Sequence, residues 1–169
     1  MKPLALFATP WLLACSSLLS AAPAVDQLRL SVIPTASSSG AAEAMVVSGG
    51  RWGTQRHLLH AAILIEHPQG RFLFDTGLGH ETADAFARNN WLNRTLLAYE
   101  NLNPARDQLE AAGYQASDID FILPSHLHWD HLGGLPDFPD LPVLILPGAL
   151  EEAKTHGEPP AFLAEQFEG

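Results

Sequence analysis

Four side chains that can bind metal ions fall within one six-residue stretch of the chain. The stretch reads His-Leu-His-Trp-Asp-His and lies between Ser125 and the pair Gly133-Gly134. Imidazole nitrogen and carboxylate oxygen together suit Zn²⁺, and they also suit Fe and Mn. One ion cannot easily take four ligands from so short a stretch, so the spacing favours two adjacent divalent ions. The candidate metal ligands are His126, His128, Asp130 and His131.

A strand is expected to deliver these ligands, because an apolar run at residues 121–123 directly precedes them. Alternate residues of an extended chain point to the same side, which predicts that His126, His128 and Asp130 share one side. The two glycines that follow permit a turn that swings His131 towards them.

The remaining patterns predict an α/β protein. Residues 28–33 alternate and predict a strand that ends at Pro34, before a loop over residues 35–42. Two apolar runs flank a turn signal and predict a hairpin. Its strands are residues 58–66 and 71–74. Further patterns predict helices at 81–88, 94–100, 104–112, 149–155 and 161–167, and a strand at 141–146.

The segment from Ser125 to Gly134 resembles the signature of the metallo-β-lactamase superfamily. The Asp-Thr-Gly at residues 75–77 resembles a strand-ending motif of the same superfamily. The likeness extends over about residues 28–146 and is greatest to the branch of N-acyl-homoserine lactonases and related lactone or ester hydrolases. It implies an α/β fold, an αββα sandwich of two similar halves with the metals at the sheet edge between them.

The resemblance also implies roles for individual residues. His126 and His128 would bind the first metal, and Asp130 and His131 the second. Asp75 would lie behind the site and hold the metal-binding loop in place. The implied chemistry is attack on a lactone or related ester by a metal-bound hydroxide, with Asp130 as the proton shuttle. A β-lactamase-type hydrolase is the alternative within the superfamily.

The sequence departs from the family pattern downstream of the motif. Members supply a further histidine, a bridging aspartate and a last histidine, whereas His156 is the sole histidine after His131 here. The sequence is therefore expected to hold the first half of the sandwich and the start of the second. An uncovered apolar sheet face would favour self-association, and a truncated remnant without enzymatic activity stays an alternative.

Several residues are expected to have no part in the metal site. Ser125 lacks the elbow motif of a serine nucleophile and is interpreted as structural. Trp129 and Leu132 are interpreted as packing residues. Four other histidines match no position of the motif and are expected on the surface or in the core. They are His57, His60, His67 and His80.

Composition excludes several classes of protein. The chain has 169 residues, with 19 acidic against 9 basic side chains and a net charge of -10, which disfavours nucleic-acid binding. One cysteine excludes an intramolecular disulfide framework. No apolar run reaches the roughly 18 residues of a membrane span.

The first 24 residues have the pattern of a signal peptide: a lysine at position 2 and then an apolar stretch of about a dozen residues. Two processing sites stay open. Ala22-Pro23-Ala24 is an A-x-A cleavage site, and Leu12-Leu13-Ala14-Cys15 resembles a lipobox in which Cys15 would be lipidated. Either site predicts an exported protein that is periplasmic, secreted or anchored to the outer membrane. Residues 25–169 are expected to form the partial metallo-β-lactamase-type domain.

Overall fold

The structure, a computed structural model, describes residues 26–157 and 161–162. The predicted signal peptide with Cys15 lies outside these residues, as does most of the predicted helix at 161–167. Four strands form one mixed sheet in the order β1-β2-β3-β4. They are β1 (Arg29–Ala42), β2 (Gln55–His67), β3 (Gly70–Thr76) and β4 (Phe121–Leu123). The first three strands are antiparallel neighbours, which confirms the hairpin, and β4 runs parallel to β3.

Six α-helices accompany the sheet in the described part of the chain. They are α1 (Glu43–Val46), α2 (Thr82–Ala87), α3 (Trp91–Leu96), α4 (Ala105–Ala111), α5 (Trp129–Leu132) and α6 (Pro147–His156). Sheet and helices together confirm the α/β fold class. No helix among the described residues is both long and apolar enough to cross a membrane.

The core lies on the face of the sheet that β2 presents through alternate residues. Ala62 and Leu64 are buried there beside Leu73 of β3 and Ile122 of β4. Leu109 of α4 packs against the same cluster, because the apolar face of this helix is directed towards the sheet.

A buried carboxylate shares this core face. Glu66 is 1% exposed and accepts a hydrogen bond of 2.9 Å from the Tyr114 hydroxyl. Its oxygens also lie 3.3 Å from Arg71 and 3.7 Å from Arg29. These partners compensate the loss of hydration that burying a charge entails.

The parallel pairing of β3 and β4 positions the site. Phe72, Leu73 and Phe74 of β3 pair with Phe121, Ile122 and Leu123 of β4. Parallel neighbours end at the same edge of a sheet, and ligand sites of open α/β sheets lie at that edge. Residues 75–77 and 125–131 are therefore brought together, although helices α2 to α4 separate them along the chain.

The prediction that the first strand ends at Pro34 was wrong, because β1 continues to Ala42. β1 lies at the edge of the sheet, where a strand tolerates a proline. The register with β2 shifts between Pro34 and Ala36 and again between Ser39 and Ala41. These irregularities allow the loop-like sequence to remain paired.

Two other element predictions need correction. The helix expected at 94–100 begins earlier, at Trp91, because the Asn90 side chain caps it by accepting a hydrogen bond from the Asn93 N–H. The strand expected at 141–146 is reduced to one bridge between Val143 and Ile122. Pro142 lacks the N–H that a longer ladder needs.

Candidate metal centre

Asp75 joins the end of β3 to the loop that carries the candidate ligands. Its Oδ1 accepts the Ser125 backbone N–H at 2.6 Å, and its Oδ2 accepts the Ser125 hydroxyl at 2.8 Å and His131 Nδ1 at 2.7 Å. Burial alone would raise the pKa of Asp75, but these hydrogen bonds outweigh it and lower the pKa. The same hydrogen bond to Asp75 raises the pKa of His131. Asp75 therefore ties the loop to the end of β3, and its role behind a metal site stays a prediction.

Three imidazole rings lie against one another at this edge. The ring centroids of His126 and His128 are 4.3 Å apart, and those of His126 and His131 are 4.0 Å apart. Burial, together with the two neighbouring imidazoles, lowers the pKa of His126, which favours the neutral form that binds metals. Local chain geometry thus brings all three predicted histidines together.

The hydrogen bonds of the loop decide which ring nitrogens stay free. Since a carboxylate only accepts, His131 must carry its proton on Nδ1. Ser125 donates its hydroxyl to Asp75, so its oxygen can accept from His126 Nδ1 at 3.0 Å. In the neutral rings both arrangements leave Nε2 without a proton, the form in which a ring nitrogen binds metal. The Ser125 hydroxyl is bound to the Asp75 carboxylate, and its structural role stays a prediction.

Asp130 reaches the cluster from α5 rather than from an extended segment. The helix begins at Trp129, so the predicted alternation holds only as far as His128. Asp130 Oδ2 lies 3.8 Å from His131 Nε2 and 3.5 Å from His60 Nδ1. Burial alone would raise the pKa of Asp130, but the contact with His60 and the charge of His131 outweigh it and lower the pKa.

The two glycines after the candidate ligands matter because they lack a side chain. The expectation was that they supply the conformational freedom for a turn. Gly133 has φ -58° and Gly134 has φ -93°, values that any residue adopts. A Cβ on Gly134 would lie 2.9 Å from the Thr76 carbonyl oxygen, and one on Gly133 would lie 3.0 Å from that of Gly77. The glycines therefore allow the ligand loop to pack directly on the end of β3.

The donors suit a divalent metal in kind, since three imidazoles and one carboxylate face a common region. Within residues 26–157 and 161–162, no three metal-binding side chains converge on one point as they stand. Metal binding would require side-chain rotation, and the assignment of the four ligands stays a prediction.

The other interpreted residues divide into three groups. Trp129 packs with Phe86 and Tyr99, and Leu132 is fully buried, as expected of packing residues. His57, His67 and His80 lie away from the ligand cluster. His60 is buried and contacts Asp130, a contact that sequence analysis missed. The available signal was the alternation of buried residues along β2, where His60 shares a face with Ala62 and Leu64.

A cleft of about 310 Å³ opens beside the cluster. His128, Asp130 and His60 form its polar end. The rest of its wall is mainly apolar. The apolar lining residues are Ala41, Met45, Val46, Leu58, Leu96, Leu97, Trp129 and Ala161.

Comparison with known proteins agrees with this arrangement. The family model of the metallo-beta-lactamase superfamily matches residues 56–169. A probable metallo-hydrolase of Mycobacterium bovis is 34% identical over 84 residues, which are 49% of this chain and 27% of that protein. The N-acyl homoserine lactonase AttM of Agrobacterium fabrum is 30% identical over 95 residues, 54% of this chain and 36% of that protein. The matches thus span well under half of these relatives.

A solved structure gives the same result at the level of the fold. A mutant of B. thuringiensis AiiA, with N-decanoyl-L-homoserine bound at its active site, superposes with a TM-score of 0.61 and 25% identity. The superposition covers 82% of this chain and 55% of that one. The chain belongs to the metallo-β-lactamase superfamily, and its relatives include lactonases.

Proposed function

We propose that the protein is a metal-dependent hydrolase that opens a lactone or a related ester. The observation that carries the proposal is the group of three imidazoles, 4.0 to 4.3 Å between centroids, beside Asp130 and at the mouth of an apolar cleft. Superfamily membership and the lactonase relatives support it.

His126 and His128 would hold one divalent ion, and Asp130 and His131 the other. Zn²⁺ fits this donor set, and Fe or Mn fits it as well. Metals held there would lower the pKa of water and polarise the carbonyl of a substrate. Asp75 orients His131, and through Ser125 it also holds His126.

The chain's own residues would supply the other steps. Asp130 lies at the junction of ligand cluster and cleft, where its carboxylate can pass a proton to the leaving oxygen. The apolar wall formed by Met45, Val46 and Leu58 would exclude water from an acyl arm and favour substrates that carry one. N-acyl lactones combine such an arm with a cyclic ester.

The experiment measures metal content and turnover on the same purified full chain. Zinc content by mass spectrometry is paired with hydrolysis of N-hexanoyl and N-decanoyl homoserine lactone, an aryl ester and a carbapenem. We expect zinc binding, lactone opening and faster turnover of the decanoyl substrate. His128→Ala should lose at least a hundredfold in activity, while D140N, an exposed aspartate near the loop, should match the parent. Zinc-loaded protein that opens neither lactone nor ester would refute the proposal.

A carbapenem hydrolysed in preference to the lactones would favour the β-lactamase-type alternative. A second alternative is a chain that acts only by association. Leu28, just before β1, and Leu30 and Val32 within it favour this alternative, since each is 60 to 64% exposed. Light scattering that shows a dimer, with no zinc and no turnover, would support that alternative.

We also propose export, on the basis of the sequence of residues 1–24. The N-terminus of the protein recovered from its cells distinguishes the two processing sites. An unmodified start after Ala24 supports the A-x-A site, whereas an acylated Cys15 supports the lipobox and a lipid anchor. An N-terminus that retains residues 1–24 would refute export.

A further inference from the structure

His60 holds a position that neither the motif nor the family resemblance assigns. It lies on the inward face of β2 and is 9% exposed. Its ring bridges two other polar groups: Nδ1 is 3.5 Å from Asp130 Oδ2, and Nε2 is 3.0 Å from the hydroxyl oxygen of Ser38. We infer that His60 is a positioning residue that fixes the orientation in which Asp130 serves the metal site. This inference rests on the proposed function, because it assumes that Asp130 binds a metal ion.

The partners of His60 decide where its proton lies. The Asp130 carboxylate can only accept, so its position 3.5 Å from Nδ1 favours the tautomer with the proton on that nitrogen. In the neutral ring Nε2 is then an acceptor, and the Ser38 hydroxyl can donate to it. The hydrogen bond at one ring nitrogen thus sets the tautomer at the other. Ser38, His60 and Asp130 form one polar chain in the wall of the cleft, which is otherwise apolar except for His128.

The backbone around His60 is held as firmly as its ring. The His60 carbonyl accepts the Thr35 hydroxyl at 3.0 Å, and the oxygen of that hydroxyl accepts the Leu78 N–H at 2.9 Å. The imidazole also lies beside Trp129, with ring centroids 5.9 Å apart. Because Trp129 is the residue directly before Asp130, the ring and the carboxylate are positioned by the same packing.

The consequence concerns the freedom of the carboxylate. A short acidic side chain in the first turn of a helix can rotate about two bonds, and only some rotamers face the ligand cluster. A donor fixed in the sheet removes part of that freedom by holding Oδ2, the same oxygen that lies 3.8 Å from His131 Nε2. Outer hydrogen-bond partners of metal ligands typically contribute about 10- to 100-fold in affinity or activity.

Two substitutions of His60 distinguish positioning from packing. H60N keeps an amide N–H near the former Nδ1 but leaves empty volume. H60L fills more of the volume but donates nothing. If His60 only packs, H60L should be the more stable variant and both should bind zinc like the parent. If His60 positions Asp130, zinc affinity and kcat should fall about 10- to 100-fold in H60L and largely recover in H60N.

The full chain and its variants are compared by zinc affinity in competition with a chelator, by kcat and KM on N-decanoyl homoserine lactone, and by thermal melting. S38A removes the hydroxyl that supports this tautomer at Nε2 and should give a smaller loss than H60L. H57L, at an exposed histidine of the same strand, is the matched control. If H60L does not fold, the other two variants decide the question. Lower zinc affinity and kcat in S38A, with near-parental values in H60N, support the inference. Parental zinc affinity and kcat in S38A overturn it.

Parental zinc affinity and parental kcat in a folded H60L would overturn the role of His60. Failure of the proposed function has a different signature. If the parent binds zinc but hydrolyses no lactone or ester, the proposed activity is wrong, and weaker zinc binding by H60L still supports the positioning role. A parent that binds no zinc at all overturns both.

Discussion

Replacement of Asp75 by asparagine removes one negative charge and leaves the shape of the side chain unchanged. Asp75 has φ 58°, in the left-handed region that few residues other than glycine adopt. Asparagine tolerates this conformation as well as aspartate does. D75N therefore tests the carboxylate without backbone strain, which alanine at the same position would add.

The effect of D75N follows from the three hydrogen bonds that Asp75 accepts, at 2.6 to 2.8 Å. The asparagine amide has only one oxygen. If that oxygen accepts the Ser125 N–H, the NH₂ group lies against His131 Nδ1. That ring nitrogen must then accept, and the proton moves to Nε2, the nitrogen that faces Asp130. A protonated Nε2 cannot bind a metal ion.

We expect D75N to weaken zinc affinity about 10- to 100-fold, which corresponds to about 1.4 to 2.7 kcal/mol. Loss of hydrogen bonds to a charged group should also lower the free energy of unfolding by about 1 to 3 kcal/mol. Chelator competition measures the first quantity and urea unfolding the second. D140N, which removes an equal charge from an exposed site, is the control. Zinc affinity in D75N equal to that in D140N would refute the proposed orientation of His131.

Three further predictions test the packing and electrostatics around the site. Gly134→Ala should lower the free energy of unfolding by about 1 to 3 kcal/mol in urea, because its Cβ would lie 2.9 Å from the Thr76 carbonyl oxygen; an unchanged midpoint would contradict the close approach. Ile122→Ala should cost about 2 to 5 kcal/mol by the same assay, since this β4 side chain is fully buried; a loss below 1 kcal/mol would contradict its place in the core. A hydrogen bond from His80 to Asp137 raises the pKa of His80. Below about pH 6.5 the parent should therefore have a higher melting temperature than H80Q. The difference should disappear as the pH rises through the raised pKa of the folded state. A difference that grows with pH would contradict that sign.

The sequence by itself determined the parts of the fold that depend on neighbouring residues. Residue types at short spacing predicted the candidate ligands, and apolar runs on either side of a turn signal predicted the β2–β3 hairpin. These patterns are local, because they reflect side-chain chemistry and the periodicity of one element. The interpretation of Ser125 as structural was also local, since it depended on the absence of an elbow motif, and it stays a prediction.

Only the tertiary structure decided how distant segments meet at the site. Asp75 and Ser125 are 50 residues apart in sequence and become hydrogen-bond partners because β3 and β4 lie parallel with their ends at one edge. Continuation of β1 past Pro34 depends on its place at the edge of the sheet. It brings Ser38 to His60, whereas the packing of α5 against β2 brings His60 to Asp130. Strand order and register are properties of the whole sheet. Contacts that depend only on them have no local sequence pattern from which they could be predicted.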